Sequence, residues 1–511
     1  MAGQGLDLSN RERAMARLEE GVFDVLIIGG GITGAGIARD LALRGIKTAL
    51  IEARDFASGT SSRSTKLAHG GLRYLAQGDF GLVREAARER QILRRIAPHL
   101  ADRKLVILPA RTKTELLKLR AGLWMYDRLG NTPKADEYEI LSAANLAAEE
   151  PLLKTASFVG AARYPEFVTD DARLVIANIR SAAIAGAVCV NYAAASRFIL
   201  EGGKICGVEA VETLGGNRRV RVRARVVINA AGPWADTVRM LEGSTSAGVQ
   251  LTKGIHIVVA RAHLSPRHAL YLPAPDGRSI FVVPRDEFTY VGTTDTFYPQ
   301  AEYWPRIEAG DIGYLLNSLN LSLVGAPLTR DKVLATWAGL RPLIAAPGKP
   351  PSEISRREQV FESSAGLLTI AGGKLTAYRK MAQRISILAQ GRLGISAPDS
   401  RTAAEPLPGA YQGKTREIVA AELVEHGIDR SAALRLARLY GDEAEMVVAD
   451  GADVAAEARR AVRFEGAVTL EDYWVRRSAR AWFSSDRGAD ALEIAARAMA
   501  PLLDWSADEV R

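Results

Sequence analysis

The apolar positions of this chain follow two patterns. Unbroken runs, among them Phe23-Asp-Val-Leu-Ile-Ile28, Thr48 to Ile51, Arg225 to Ala230 and Gly366 to Ile370, read as strands buried on both faces of a parallel sheet. Residues 249–300 instead hold the short segments Ile255 to Val259, Ser279 to Val283 and Thr289 to Gly292, and predict a β-rich portion. Gly202-Gly203 and Gly215-Gly216 mark two hairpin tips. A polar helix over 9–20 is predicted with Ser9 or Asn10 as its N-cap. Leu174 to Ala185 reads as a helix leading to a strand at Val188 to Tyr192, and 77–165 as mostly helical with strand-like pieces. Another helix follows Lys374 as far as about Leu388. Three prolines make 396–409 a predicted linker, beyond which the chain reads as helix throughout.

The first unbroken run empties into Gly29-Gly-Gly31-Ile-Thr-Gly34, so a G-x-G-x-x-G follows a strand and opens a helix. Gly45 stops that helix, and the second strand ends at Glu52. Glycines at Gly29, Gly31 and Gly34 allow a tight turn and close approach of the backbone to a pyrophosphate, whose charge the helix N-terminus favours. Glu52 stands where a carboxylate accepts from the adenosine ribose hydroxyls. A glycine triplet alone also reads as a plain turn; strand, helix and acid together predict nucleotide binding. Two later strand ends, Asn229 to Gly232 and Ala371 to Lys374, have the form of a sheet that wraps a whole FAD rather than NAD. The turn Gly372-Gly373-Lys374-Leu375-Thr376 would aim amide N–H groups and a helix dipole at the flavin pyrimidine ring; taken by itself it is also an ordinary strand-to-helix turn.

Thr60 to Tyr74 is the densest polar stretch. Hydroxyls at Thr60, Ser61 and Ser62 suit pyrophosphate or flavin edges, and Gly70-Gly71 lets backbone pass close to a planar ring. His69 and Arg73 place a titratable base and a guanidinium four residues apart, a pairing that fits proton abstraction beside an anion site. The alternative is a hydroxyl-rich surface loop. Thr114 to Gly130 combines leucines and Trp124 with Lys118, Arg120 and Arg128, a basic amphipathic helix that either lies at a bilayer surface or packs on its own protein.

Composition narrows the picture. The 511 residues, 48% of them hydrophobic, suffice for two to four domains and exclude a mini-protein or a disordered tail. The net charge of +8 is uneven: −6 from Glu405 to Arg511 and +14 before it, which suits phosphate-bearing ligands or an anionic surface. A nucleotide- or nucleic-acid-binding protein without catalysis is the non-enzyme alternative. Cys189 and Cys206 are too few for a disulfide framework or a metal cluster, and a reducing, cytoplasmic setting is expected. No apolar run reaches the 18 or so residues of a membrane span, and the first 20 residues lack an apolar signal core.

These residues carry a resemblance. The stretch Phe23 to Tyr74 with Thr60-Ser-Ser and Lys66-Leu-x-His69-Gly-Gly-Leu-Arg-Tyr74 is similar to the FAD-dependent (aerobic) glycerol-3-phosphate dehydrogenase family. So are Asp170-Asp171-Ala-Arg173-Leu, Asn229-Ala-x-Gly-Pro-Trp234, Lys253-Gly-x-His256, Gly292-Thr-Thr-Asp295, Gly339-Leu-Arg341-Pro-Leu and Gly372-Gly-Lys374-Leu-Thr-x-Tyr378-Arg379. The resemblance implies an α/β fold with three parts. They are an FAD-binding Rossmann-like domain (22–76, 170–240, 355–390), an interleaved β-rich substrate domain (77–169, 241–354) and a C-terminal helical domain (405–511).

It also implies oxidation of sn-glycerol 3-phosphate to dihydroxyacetone phosphate, with hydride passing to flavin N5 and electrons to quinone. His69 matches the family's base, His256 a further active-site histidine and Arg341 a catalytic and substrate-binding cation. Arg73, Tyr74 and Lys374 join Arg341 around the substrate; at Arg356 a second arginine replaces the family's following acid, which leaves its phosphate role open. FAD contacts are implied for Gly29, Gly31, Gly34, Glu52, Thr60, Ser61, Ser62, Lys66, Leu67, Gly70, Gly232, Gly372, Gly373, Lys374, Leu375 and Thr376. No metal and no nucleic acid are expected, peripheral contact with the inner face of the cytoplasmic membrane is, and a homodimer is left open. By the residues alone, His256 reads equally as a hydrogen-bonded core histidine on its strand. Another polyol phosphate such as erythritol phosphate, or oxygen as acceptor in a flavin oxidase, are the alternatives within the same fold.

Overall fold

A computed structural model describes residues 5–70, 80–130, 132–245, 248–345 and 357–510. Parallel pairing puts Val22–Ile28 between Arg219–Asn229 and Thr48–Ile51, with Leu368–Ala371 and Val188–Val190 flanking them. The apolar runs are why: Leu26, Ile27, Leu50 and Ile228 are fully buried, as strands covered on both faces must be. Gln359–Glu362 closes one edge, and the hairpin Ala193–Glu201 and Lys204–Glu212 extends from Arg219–Asn229. Helices Ile32–Leu43, Asp171–Ile184 and Tyr378–Leu393 pack beside the sheet. Register places Ile28 level with both Asn229 and Ile51, so three strands end together and leave a crevice beyond their carboxyl ends.

The second sheet runs in the order Thr296–Phe297, Val249–Ala260, Phe288–Gly292, Ser279–Arg285, Ala269–Pro273, Asp102–Ala110, Gly160–Val168 and Leu67–Ala68. Val333–Ile344 pairs antiparallel along nearly all of Val249–Ala260, setting Arg341 opposite Thr252 and Trp337 opposite His256. Helix Ala309–Ser322 buries Leu315 and Leu319 against this sheet. Leu67–Ala68 therefore belongs to the second sheet although it lies only 15 residues beyond Glu52. The polypeptide crosses from one sheet to the other along the crevice.

The described part of 77–165 is mostly helical as expected, with Phe80–Ile96, Lys113–Gly130 and Ala143–Glu149, and its strand-like pieces Asp102–Ala110, Glu139–Ser142 and Gly160–Val168 join the second sheet. Two features differ from expectation. Val333–Ile344, unanticipated, is one of the longest strands; its Gly339 and Pro342 break the alternation that would mark it. Residues 396–409 are no free linker. Arg39, fully buried, donates to the carbonyls of Thr402 and Glu405, and Arg379 donates to the Thr402 hydroxyl. The tail itself is helical, with Arg416–Glu425, Arg430–Tyr440, Val454–Glu465 and Ala489–Leu503 as its main helices. It is fastened to the body by buried charges: Arg173 to Glu465, Arg180 to Glu443, and Arg476 and Arg477 to Asp55.

The basic helix forms as Lys113–Gly130 and buries only Leu123 and Tyr126, leaving Leu117 65% and Trp124 54% exposed. Among the described residues no helix is long and apolar enough to cross a membrane.

Candidate active site

The crevice opens into a cavity of about 480 Å³ that extends between the two sheets. Gly29 begins it. Its φ of +112° is unfavourable for a side chain, and a Cβ there would lie 2.6 Å from the Ala230 carbonyl oxygen. Gly34 does not face the cavity; a Cβ on it would come within 1.9 Å of Gly29 O, so its bareness lets helix Ile32–Leu43 close onto the turn. The helix N-terminus is thereby brought to the cavity wall at Gly31 and Ile32, where the Ile32 amide donates to Ser61 Oγ at 3.0 Å. Glu52 lines the same end and accepts from the Gly30 and Arg54 amides at 2.7 and 2.9 Å. Burial raises its pKa, and those two N–H groups partly offset the rise.

From there the wall continues through Thr60, Leu67 and Gly232 to Gly372, Gly373, Lys374, Leu375 and Thr376, and to His69 and Arg341. Fourteen of the expected site residues are thus on one surface, although they come from chain segments more than 300 residues apart. Thr376 Oγ1 donates to the His69 carbonyl at 3.1 Å, which fixes the His69 backbone against the start of helix Tyr378–Leu393. Arg341 is aimed by the 292–295 turn: Nη2 donates to Thr293 Oγ1 at 2.9 Å and Nη1 to Asp295 Oδ1 at 3.2 Å.

Other expected residues stand one layer back. Lys66 turns its ammonium away from the cavity to Asp171 Oδ1 at 2.5 Å and to the Ser62 carbonyl, so it braces the 60–69 strap instead of lining the cavity. Ser62 is buried off the cavity surface. Gly70 donates its amide to Glu166 and leaves no room for a Cβ beside the Tyr126 hydroxyl. His256 is 1% exposed, stacks on Trp337 at 4.8 Å and shares a 3.0 Å hydrogen bond from Nε2 with Thr65 Oγ1. Burial, and then the nearby Arg341 and Lys66 cations, hold its pKa well below the ordinary histidine value, so it is neutral at physiological pH. Its hydrogen-bond partner Thr65 lines the cavity, and His256 itself does not. Arg73, Tyr74 and Arg356 lie outside the described residues.

Sequence reading missed Arg63, Thr65, Thr293 and Asp295. Arg63 and Thr65 stand inside the polar stretch already singled out; the other two become site residues only once Val333–Ile344 is paired with Val249–Ala260.

A buried carboxylate beside a helix N-terminus, and a distant turn of amides and Lys374 along the same cavity, suit FAD from end to end. With His69 on the same wall, this is the site of an FAD-dependent oxidoreductase. Residues 24–379 match the family described as FAD dependent oxidoreductase, and 400–510 match the C-terminal domain of alpha-glycerophosphate oxidase. The aerobic glycerol-3-phosphate dehydrogenase of Staphylococcus aureus (strain USA300) is 38% identical, over 99% of this chain and 95% of that one. The solved glycerol-3-phosphate dehydrogenase of Bacillus halodurans, complexed with FAD, superposes with a TM-score of 0.83 at 34% identity, covering 99% and 95% of the two chains. The chain belongs to the FAD-dependent glycerol-3-phosphate dehydrogenase family. An L-alpha-glycerophosphate oxidase from Mycoplasma pneumoniae shares the fold, with a TM-score of 0.60 at 16% identity over 76% of this chain and 99% of that one.

Proposed function

We propose that the protein oxidises sn-glycerol 3-phosphate to dihydroxyacetone phosphate. The observation that carries this reading is that His69, Arg341 and Lys374 line the same cavity as the expected FAD contacts. FAD, when bound, supplies the hydride acceptor. His69 takes the proton of the C2 hydroxyl as the C2 hydrogen leaves as hydride, so that alcohol becomes ketone. Arg341 and Lys374 bind the phosphate and the oxygen on which negative charge develops; the Thr293 and Asp295 contacts hold the Arg341 fork in one orientation. The second sheet contributes Leu67, Arg341, Pro342 and Leu343 to the cavity wall, which narrows the access of water to the transferred hydride. A panel of polyol phosphates and their dephosphorylated counterparts, assayed by anaerobic flavin bleaching, tests the assignment: glycerol 3-phosphate bleaches and glycerol does not. Arg341→Ala is expected to raise KM for glycerol 3-phosphate by about 10- to 100-fold, the loss of a charged hydrogen bond. Loss of flavin with KM unaltered would remove Arg341 from substrate binding.

Electrons then pass to quinone at a membrane surface, and helix Lys113–Gly130 is the contact. Leu117 and Trp124 are exposed beside exposed Lys118 and Arg120, apolar groups for the interface among cations for anionic headgroups. Co-sedimentation with anionic vesicles should fall several-fold in L117S/W124S while turnover with a soluble dye acceptor is retained. Equal co-sedimentation would assign the helix no membrane role.

A further inference from the structure

The peptide unit that joins His69, on the cavity wall, to Gly70 is held at both of its polar ends. Its carbonyl, on His69, accepts from Thr376 Oγ1 at 3.1 Å. Its N–H, on Gly70, donates to Glu166 Oε1 and Oε2 at 3.2 and 3.3 Å. A peptide unit is planar, so fixing both ends sets its orientation and with it the ψ angle of His69. The residues before it are set by the sheet. Leu67 pairs with Val168 and Ala68 with Phe167, which puts Glu166 opposite His69 in the same antiparallel register. The direction in which the His69 side chain leaves the backbone is thereby determined from both sides.

Glu166 is held in its turn. It is buried on strand Gly160–Val168 and accepts from Arg90 Nη1 at 2.9 Å. Arg90, buried on helix Phe80–Ile96, donates from the same nitrogen to the Pro165 carbonyl at 2.8 Å. Tyr126 adds a third contact: its hydroxyl occupies the space that a Cβ on Gly70 would need, and its ring centroid lies 5.3 Å from the Arg90 guanidinium. Glu166, Arg90 and Tyr126 are not among the residues that line the cavity. Burial raises the Glu166 pKa, while Arg90, the Gly70 amide and the Lys374 cation favour its charged form. A buried ion pair contributes little net stability against an apolar pair of the same size. What this one provides is an acceptor for a single amide, next in the chain to His69.

We propose that Glu166, with Arg90 as its counter-charge, is a positioning residue for the oxidation: through the Gly70 amide it holds the His69 backbone so that the imidazole meets the C2 hydroxyl. The proposal rests on His69 being the base. Two double variants differ only in whether the Gly70 amide keeps an acceptor. Glu166→Gln with Arg90→Met keeps one, Glu166→Leu with Arg90→Met does not, and both avoid an unpaired buried charge. Anaerobic stopped-flow reduction of the holoenzyme by glycerol 3-phosphate should stay within about 3-fold of the unmodified rate in the Gln form. It should fall about 10- to 100-fold in the Leu form, with KM and the flavin spectrum alike in both. With His69→Asn added, the two forms should reduce at the same rate, because the amide contact then has no base to place. Equal rates in the two forms with His69 present would overturn the proposal. So would a difference that persists in His69→Asn, which would make the contact a general brace of the strap. A raised KM at unchanged rate would count against it equally and assign Glu166 to the charge balance at Lys374, and loss of FAD from the Leu form alone would assign the contact to the cofactor. His69→Asn that is reduced at the unmodified rate would instead sink the base reading, and this proposal with it.

Discussion

Replacing His69 by asparagine is expected to lower kcat about 10²- to 10⁴-fold with FAD still bound, the span that a positioned general base contributes. Asparagine keeps a polar side chain of similar reach but accepts no proton at neutral pH. The backbone anchor from Thr376 to the His69 carbonyl does not depend on the side chain, so the strap should hold its place and the flavin spectrum should be unaltered. Anaerobic stopped-flow reduction isolates the chemical step from reoxidation. A reduction rate equal to that of the unmodified enzyme would remove His69 as base. A loss of FAD would show that the residue serves the cofactor instead. A primary isotope effect with C2-deuterated substrate, retained or enlarged in the variant, would separate slower bond breaking from slower binding.

The second large effect concerns stability. Lys66 and Asp171 form an ion pair whose side chains are 2% and 0% exposed, and Asp171 accepts in addition from the Ser64 amide and hydroxyl at 3.0 and 2.7 Å. One carboxylate at the start of helix Asp171–Ile184 thus holds the middle of the strap whose residues Thr65, Leu67 and His69 face the cavity. Asp171→Asn leaves the ammonium buried without its counter-charge and should destabilise the fold by about 3–5 kcal/mol. The midpoint of urea unfolding, followed by tryptophan fluorescence, measures this. Trp337 reports on the strap itself because its Nε1 donates to the Ser64 carbonyl. Since the cost is an unpaired charge and not an ion pair's intrinsic worth, the double variant Lys66→Met with Asp171→Leu should recover much of it. A single variant as stable as the parent would show that the ammonium finds another partner.

How much of this was legible follows from how far apart in the chain the cooperating residues lie. Gly29, Gly31, Gly34 and Glu52 are readable because one β-α-β unit contains them and each has a local steric or electrostatic task. His69 and the Gly372 to Thr376 turn were found for similar reasons, as polar or glycine-rich departures from apolar strands. Lys66 was read as a cofactor contact because nothing near it in sequence announces Asp171, 105 residues away. Arg341 was found but not its aim, which depends on Thr293 and Asp295 arriving from another strand's end. His256 could be placed on its strand, but whether it met solvent, cofactor or Trp337 depended on a register that a single strand cannot specify. Arg63 was overlooked among hydroxyls because a guanidinium in a polar loop looks solvated; only its burial between Tyr303 and Trp304 distinguishes it.

The anchoring of Arg39 bears on the order in which the protein is made. This arginine sits five residues past Gly34, yet its guanidinium is satisfied by Ser181 and by the Thr402 and Glu405 carbonyls. During synthesis the helix after the glycine turn waits 363 residues beyond Arg39 before the first of the carbonyls that satisfy its buried charge is made. A nascent chain halted before residue 402 would carry the whole nucleotide motif with that helix unfinished, so a motif contained in one β-α-β unit is completed by a segment made much later.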